Sequence, residues 1–490
     1  MYMALLFTFL LPVFSVLPAY LAGKRSPKAA ASVVILFSVL DLAVLLTTMP
    51  EVMAEGRYME SYYWMPTLGS PLTLFVDGTS LSMAIVTLLL IISSTLFSID
   101  YMKERKSLGE YYALMALLMV GLVGVFITSN LMVFYFCWEF MLVPTYFIIG
   151  GWGYRESYRA AFKFFIFTHA GAVAVLLGIG AVYMLTGNLD IFQAASLLTA
   201  APQNILTWLF IAFTLGFAVK MAVVPVHMWL PDAHAEAPAP MSALLSGVII
   251  EAGAYAILRI SFGMIFPSIT DVLVSNQFTY ALSILGVISA FYGAMAALAE
   301  NDIKRIVAYS SISHMGYVLF GLSLFPFAEG IIGTILHLVN HAASKGLLFL
   351  NAGAIMKQTG LRDIREMGGL ASKMPLTAVT TAVSSFSIAG IPAFACFISE
   401  FLIFMGGFQA GGGDSFFYAT TGLMIVATVF SLAYVLRFYW KIFLETSKTK
   451  KIQTVPLLMA VPMVILSVVV VLLGVWPTSL IELITSSVPG

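Results

Sequence analysis

The stretch FTLGFAVKMAVVPVHMWLPDAH, residues 213–234, places a lysine and a proline inside an apolar run. Pro225 cannot donate a helical hydrogen bond, so the carbonyl group of Met221 loses its partner. Lys220 lies five residues before the proline, and a charge at mid-bilayer costs roughly 2.5–3.5 kcal/mol on insertion scales. Irregular backbone at membrane depth is tolerated only where it is buried in protein or lines a cavity. The stretch therefore predicts a broken membrane helix beside a polar interior.

A second stretch repeats this combination further along the chain. SIAGIPAFACFISEFLIF, residues 387–404, carries Pro392 eight residues before Glu400. The two interrupted spans are five spans apart, an odd number, so two copies of a five-helix unit would have opposite orientations. Such a pair is typical of transporters built from inverted repeats. The alternative is that both prolines only kink packed helices, because proline is frequent in membrane helices.

The composition excludes several classes of protein. Of the 490 residues, 60% are apolar and only 10% are charged, against about 25% charged residues in soluble proteins. Lys and Arg number 24, as do Asp and Glu, so no basic surface indicates a nucleic-acid partner. Cys137 and Cys396 lie in apolar stretches and give no zinc, iron–sulfur or disulfide spacing. These features indicate a polytopic protein in contact with the lipid bilayer.

Fourteen apolar segments are long enough to cross a bilayer, which needs about 20 helical residues. They lie near residues 2–22, 29–49, 79–99, 111–128, 130–150, 160–185, 206–230, 239–263, 278–298, 303–323, 329–356, 376–407, 418–443 and 454–475. The first segment has no basic region before it and no A-x-A-like cleavage site, so we expect a retained helix and not a signal peptide.

The predicted fold class is an all-α polytopic membrane protein. It has about 14 transmembrane helices with two inverted five-helix repeats and two broken helices. We expect helices 1–3 in residues 1–105 and the first repeat, helices 4–8, in residues 106–265. The second repeat, helices 9–13, would occupy residues 266–445, and helix 14 would lie in residues 446–490.

Basic residues predict the orientation of these spans. With fourteen spans, almost all of the loop cations fall on one side: Lys24, Arg25, Lys28, Lys103, Arg105, Lys106, Arg155, Arg159, Lys304, Arg305, Lys357, Arg362, Arg365, Lys373, Lys441, Lys448, Lys450 and Lys451. The opposite side holds Arg57, Arg259 and mostly acidic residues. The positive-inside rule then predicts a multi-pass protein of the cell (inner) membrane, with both termini outside the cytoplasm.

Ionisable residues inside the spans are the candidates for function. They are Glu139, Lys163, Lys220, Glu251, Lys345, Glu400, His169, His314, His337 and His341. Any one of them has a structural explanation, as an ion pair between helices or as a packed histidine. As a set they indicate a proton relay, because burial and neighbouring charges can move the pKa of such groups toward neutral pH.

One helix carries three of these groups in a regular pattern. His337, His341 and Lys345 are spaced four residues apart, which places them on one helix face. The stripe favours proton transfer. Metal binding by the two histidines is the competing interpretation, and we predict no metal because no carboxylate or further imidazole is obvious beside them.

The loop WLPDAHAEAPAPMSALLSG follows the first broken helix. His227 lies just before this loop, and Asp232 and His234 lie within it. These residues would form a polar funnel for cytoplasmic protons, but a solvated turn explains them nearly as well.

Five stretches together resemble a known family. They are FCWEFMLVPTYFIIGGWG (136–153), GFAVKMAVVPVHMWLPDAHAEAP (216–238), ENDIKRIVAYSSISHMGYV (300–318), HLVNHAASKGLLFLNAG (337–353) and IPAFACFISEF (391–401). The chain resembles the antiporter-like subunits of respiratory complex I, which are shared with Mrp-type cation/proton antiporters and membrane-bound hydrogenases. The resemblance implies two inverted five-helix repeats, each with a half-channel and a broken helix.

The resemblance also implies roles for individual residues. Glu139 would pair with Lys220, the lysine of the first broken helix, and Glu400 would occupy the exit-side position in the second. His337, His341 and Lys345 would form the polar face between them. This chain departs from the family pattern at Glu251, where many relatives have lysine, and at Ala222, where proline is usual. An acid at residue 251 leaves a group that could bind Na+.

We therefore expect a subunit that moves protons, or Na+, within a multisubunit redox-driven membrane complex. Its partners would be other membrane subunits of the family and a hydrophilic iron–sulfur redox module. No motif for flavin, nicotinamide, quinone or iron–sulfur clusters is present, so we predict no cofactor and no redox site of its own. The first alternative is a subunit of an Mrp-type Na+/H+ secondary antiporter without redox chemistry, and the second is a structural subunit whose charges only lock helices together.

Overall fold

The computed structural model describes residues 3–65, 70–446 and 452–487. Lys448, Lys450 and Lys451, which contribute to the predicted basic side, lie outside the described residues.

Helices form nearly all of the described chain. Their bounds are α1 (Ala4–Gly23), α2 (Pro27–Leu46), α3 (Met49–Glu55), α4 (Gly78–Tyr101), α5 (Leu108–Ile127), α6 (Leu131–Trp152), α7 (Ser157–Thr186), α8 (Ile191–Leu198), α9 (Gln203–Met221), α10 (Leu230–Glu236), α11 (Ala239–Leu244), α12 (Ile250–Ala256), α13 (Val272–Ala299), α14 (Ile303–Ser323), α15 (Ala328–Thr359), α16 (Pro375–Ile388), α17 (Ala395–Gly413), α18 (Ser415–Tyr439), α19 (Leu457–Val475) and α20 (Thr478–Thr485). Two π-helical segments, Leu245–Ile249 and Ile257–Ile265, continue α11 and α12 into one span.

Several spans begin at an acidic or amide cap that the sequence places there. In each, the side-chain oxygen accepts backbone N–H groups of the first turn, which otherwise have no partner. These caps are Asp77, Asn130, Asp271, Asp302 and Asp414.

Thirteen helical segments of the described chain are long and apolar enough to cross a membrane. α15, with 32 residues, is also long enough, but its polar stripe makes it less apolar than the others. Almost every residue of α15 from Gly330 to Met356 is buried, so this polar helix runs through the interior and away from lipid. With α15 the described helices provide fourteen spans, the predicted number.

The two predicted helix breaks are present. α9 ends at Met221, before Pro225, because Ala222 takes a left-handed conformation with φ of 58°. The freed carbonyl of Val219 accepts the Trp229 Nε1–H at 2.8 Å. In the second break, residues 389–394 separate α16 from α17, and Gly390 has a φ of 65°. The boundaries and symmetry of the two repeats stay predictions.

A small sheet on the acidic side was not predicted. β1 (Arg57–Met65) and β2 (Ser70–Asp77) pair antiparallel in the segment between the second and third spans. Arg259, which was expected on this side, forms an ion pair with Asp77 at 2.7 Å, and both side chains are largely buried. Spacing could not reveal this pair because its members are far apart in the sequence.

Helices α13 and α14 approach so closely that only glycine fits at their crossing. A Cβ atom added to Gly286 would lie 2.8 Å from the backbone nitrogen of Phe320 and 2.9 Å from the carbonyl oxygen of Gly316. Small residues permit such close backbone packing between membrane helices.

We expect Gly286→Ala to lower the free energy of unfolding by about 1–3 kcal/mol, the usual range for overpacking. The matched control is Gly422→Ala on α18, where nothing lies within 4 Å of an added Cβ. That variant should keep or raise stability, since alanine favours helix over glycine by up to about 1 kcal/mol. Thermal unfolding in one detergent compares the two, and equal midpoints would contradict the close packing.

Candidate ion-translocation site

Lys220 lies in the last turn of α9 and is almost wholly buried. Its Nζ donates a hydrogen bond of 3.2 Å to the carbonyl oxygen of Trp138 on α6. The same atom lies 4.0 Å from the centroid of the Trp138 indole ring. Both contacts attract an ammonium group without adding a full negative charge. The lysine can therefore exchange a proton without leaving a buried countercharge behind.

Glu139 does not pair with Lys220 in this conformation. Among the described residues, no carboxylate oxygen lies within 4 Å of the lysine, and Glu139 Oε2 lies 3.7 Å from His169 Nδ1 on α7. The direct ion pair that the resemblance implies is therefore not formed in this conformation, and the role of Glu139 beside Lys220 stays a prediction. Glu139 follows Trp138 in the chain, and its Oε1 is buried without a hydrogen-bond partner in the described structure.

Glu251 and His341 form the central contact of the site. Glu251 lies on α12 between the two π-helical segments, and π-helical turns are frequent at functional sites. Its Oε1 is hydrogen-bonded to His341 Nδ1 on α15, and both side chains are fully buried. Glu251 Oε2 and His341 Nε2 have no partner among the described atoms. Since buried polar atoms are usually hydrogen-bonded, we expect water beside this pair.

A row of side chains continues from His341 toward the second broken helix. The ring centroid of His341 lies 5.2 Å from that of His314 on α14. His314 Nδ1 is 3.2 Å from His337 Nε2, and His337 Nδ1 is 3.0 Å from Ser399 Oγ. Glu400 Oε1 lies 3.9 Å from His314 Nδ1. Glu251, His341, His314, His337, Ser399 and Glu400, which we call the polar chain, thus connect α12 to α17.

Lys345 lies on the same face of α15, one turn beyond His341. Its Nζ donates to Ser310 Oγ and, at 3.3 Å, to the carbonyl oxygen of Val307. Within the described residues no carboxylate lies within 4 Å of this amine, although it is fully buried. Lys345 and Lys220 therefore have similar surroundings, because the amine of each donates hydrogen bonds only to neutral oxygens in the described structure.

The prediction that no further imidazole or carboxylate lies beside His337 was wrong. Ligand atoms of His314, His337 and Glu400 all lie within 4.8 Å of one another, which is close enough to hold a metal ion. Binding of a metal there would break the hydrogen bond between the two imidazoles. The absence of a resident metal stays a prediction.

The three residues of the predicted uptake loop have different surroundings, and the funnel stays a prediction. Asp232 accepts hydrogen bonds from Lys163 at 2.8 Å and Arg305 at 2.5 Å. Partial burial would raise the pKa of Asp232, but these two cations hold it below its usual range, so the carboxylate carries protons poorly at neutral pH.

The two histidines of this loop have other surroundings. The ring of His227 packs against Tyr292 at 4.6 Å. His234 is fully buried, is stacked on Phe349, and has no hydrogen-bond partner for either ring nitrogen in the described structure. His227 Nδ1 is also buried without a partner in the described structure, and His234 is the more deeply buried of the two histidines.

The family profile described as "NADH:quinone oxidoreductase/Mrp antiporter, TM" matches residues 128–431. This chain belongs to that family. The match contains both helix breaks, the polar chain and Lys220, so the residues singled out above lie in the part that defines the family.

Members of the family include relatives that match most of this chain. NADH-quinone oxidoreductase subunit M of Rickettsia conorii is 31% identical over 98% of this chain and 96% of its own length. The protein of the same name from Pseudomonas aeruginosa is 36% identical over 87% and 83%. F(420)H(2) dehydrogenase subunit M of Methanosarcina mazei is 34% identical over 71% and 70%.

Solved structures of multisubunit complexes contain the family fold. A chain of respiratory complex I from Thermus thermophilus aligns with a TM-score of 0.84 at 24% identity, over 99% of this chain and 100% of that one. A chain of the Mrp complex from Dietzia sp. DQ12-45-1b gives 0.85 at 24% identity, over 98% and 97%. A chain of an archaeal membrane-bound sulfane sulfur reductase gives 0.86 at 27% identity, over 97% and 76%.

The sequence did not identify every member of this family site. His314 was noted as a buried histidine, but nothing in its spacing linked it to α15, and Ser399 gave no signal beyond its position before Glu400. Lys304, counted with the loop cations, is fully buried and donates to the carbonyl oxygen of Ala237. The predicted span 303–323 already placed Lys304 in the first turn of a helix, two residues after the cap Asp302, but nothing local showed that its side chain would be buried.

Proposed function

We propose that this chain is the proton-translocating, antiporter-like subunit of a multisubunit redox-driven membrane complex. The observation that supports the proposal is the polar chain, in which buried carboxylates on two helices are joined by three imidazoles. A carboxylate or an imidazole can accept a proton on one side and release it on the other. The three relatives described above, each more than 30% identical, are subunits of NADH-quinone oxidoreductase and F(420)H(2) dehydrogenase.

The proposed path runs through both halves of the protein. Protons enter near His234 from the cytoplasmic side and reach Lys220, then pass to Glu251, along the polar chain to Glu400, and outward. Lys345 sets the charge beside Glu251, and Glu139 regulates Lys220 by approaching it or withdrawing toward His169. The acid at residue 251 also leaves Na+ as a possible transported ion.

The same proposal specifies the membrane, the orientation and the partners of the protein. The chain lies in the cell (inner) membrane with both termini outside the cytoplasm. Its partners are related membrane subunits and a hydrophilic iron–sulfur module, which supplies the redox chemistry, since the sequence carries no recognisable cofactor motif. The Mrp-type secondary antiporter is the second candidate, since the Mrp complex shares the fold over nearly the whole chain.

The test starts from the complex purified from its native membrane through a tag on this chain. We expect iron–sulfur subunits to co-purify, and proton uptake into reconstituted vesicles when NADH or reduced F420 is supplied as electron donor together with a quinone as electron acceptor. If only membrane subunits co-purify and protons move in exchange for Na+ without a donor, the Mrp-type alternative is correct. If neither condition moves protons in vesicles with intact complex, both candidates are wrong.

A further inference from the structure

A cavity of about 570 Å³ opens on the basic edge of the bundle, where α4, α6 and α15 end. Four cationic side chains and one acidic side chain line it: Arg105, Arg155, Lys357, Arg362 and Glu104. The proposed ion path does not use this cavity.

The cations of this cavity are only partly neutralised. Lys357 pairs with Glu104 at 3.3 Å, and Arg362 pairs with two carboxylates outside the cavity lining. In the described part of the chain, Arg105 and Arg155 have no carboxylate within 4 Å. A buried lysine outside the lining, Lys304, lies 5.3 Å from the ring of Tyr154 in the cavity wall. The cavity therefore attracts an anion.

Three cationic side chains lie within about 6 Å of the centroid of the Tyr154 ring. The guanidinium groups of Arg105 and Arg362 lie 5.9 and 5.4 Å from its centroid, in addition to Lys304. Cations held together in this way repel one another, and a bound anion would relieve the repulsion. Guanidinium groups also match phosphate oxygens in bidentate geometry.

An apolar groove of about 410 Å³ adjoins the cavity on the outer surface of α5 and α6. Trp152 lines both spaces, and its Nε1 donates to the carbonyl oxygen of Lys106 at 2.9 Å, which fixes the indole between them. Leu114 and Phe147 line the groove together with one acidic side chain, Glu110. Nothing lies within 4 Å of a Cβ added to Gly151, so the groove is open there. Tryptophan at such a boundary is typical of the membrane interface.

We propose that the two spaces together bind one anionic phospholipid, with its phosphate in the cationic cavity and an acyl chain in the groove. Basic pockets between membrane helices are suited to acidic lipid headgroups. A free phosphate would need only the cavity, whereas the open apolar groove that continues from it past Trp152 fits an acyl chain. The site is independent of the proposed ion translocation.

The experiment uses the full chain in its purified complex. The probe is phosphatidylglycerol with a photoreactive group in the acyl chain, titrated into phosphatidylcholine–detergent micelles. Cross-linked peptides are mapped by mass spectrometry. We expect labelling on α5 and α6 around Leu114 and Phe147, and much weaker labelling by the matching phosphatidylcholine probe. In the double variant Arg105→Gln/Arg155→Gln, the lipid fraction for half-maximal labelling should rise about 20- to 30-fold, at roughly 1 kcal/mol per cation.

Matched variants separate the headgroup from the acyl chain. Gly151→Leu fills the groove and should abolish labelling, whereas Gly180→Leu, at an equally open glycine on α7, should leave it unchanged. Arg159→Gln, an exposed cation on the same edge, should also have no effect. Thermal midpoints establish that each variant is folded.

Three results would overturn the proposal. The first is equal labelling by the neutral probe, and the second is labelling that is unchanged in the double arginine variant. The third concerns the source of the phosphate: if radiolabelled inorganic phosphate binds the delipidated complex through Arg105 and Arg155, and Gly151→Leu does not reduce lipid labelling, the site takes a free anion.

Discussion

Glu251→Gln is expected to reduce proton translocation to the level of protein-free vesicles while the complex still assembles. Glu251 Oε1 is hydrogen-bonded to His341 on α15, and the ring of His341 lies next to that of His314 on α14. This hydrogen bond therefore connects α12 to the buried histidines. An amide keeps the shape and a hydrogen bond but cannot take up and release a proton, so transfer stops at this point. The measurement is donor-driven proton uptake into vesicles that contain the purified complex.

The control for this variant is Glu366→Gln, at an exposed glutamate outside both the polar chain and the cationic cavity. It should pump at the parent rate. Glu251→Lys tests the departure from the family pattern, since a titratable amine at this position should retain part of the activity. Unchanged pumping in Glu251→Gln would remove this residue from the path.

Much of the fold followed from residue types alone. Hydropathy gave the positions of the spans, because each must satisfy its backbone within the bilayer, and the prolines marked both helix breaks. The first break nevertheless begins at Ala222. The sequence analysis noted Ala222 only as a departure from the family pattern. No neighbouring residue indicates that this alanine takes a left-handed conformation.

The contacts inside the site were less predictable, because they depend on the register between helices. The stripe on α15 was visible as a four-residue spacing, but the partner of His341 was not. Glu251 reaches that histidine from a span that contains two π-helical segments, and these rotate the residues after them relative to a regular helix. Likewise, the sequence placed Glu139 next to Lys220, whereas packing turns it toward His169.

Lys220→Met is expected to abolish translocation without lowering stability, and this combination separates the relay from a structural role. If the lysine locked two helices through an ion pair, its loss would destabilise the protein and leave pumping intact. Its described contacts are a carbonyl oxygen and an aromatic face, both from Trp138. Methionine fills a similar volume and avoids the desolvation of a buried charge, so the thermal midpoint should stay the same or rise.

Two further lysine variants complete this test. Lys220→Arg keeps the charge but cannot release its proton, because a guanidinium group stays protonated in proteins, so it should also fail to pump. Lys163→Met removes the partner of Asp232 at 2.8 Å from a side chain that is 32% exposed, and it should pump normally with a loss of at most about 1 kcal/mol. Proton uptake at the parent rate in Lys220→Met, together with a lowered midpoint, would show that Lys220 only holds α9 against α6.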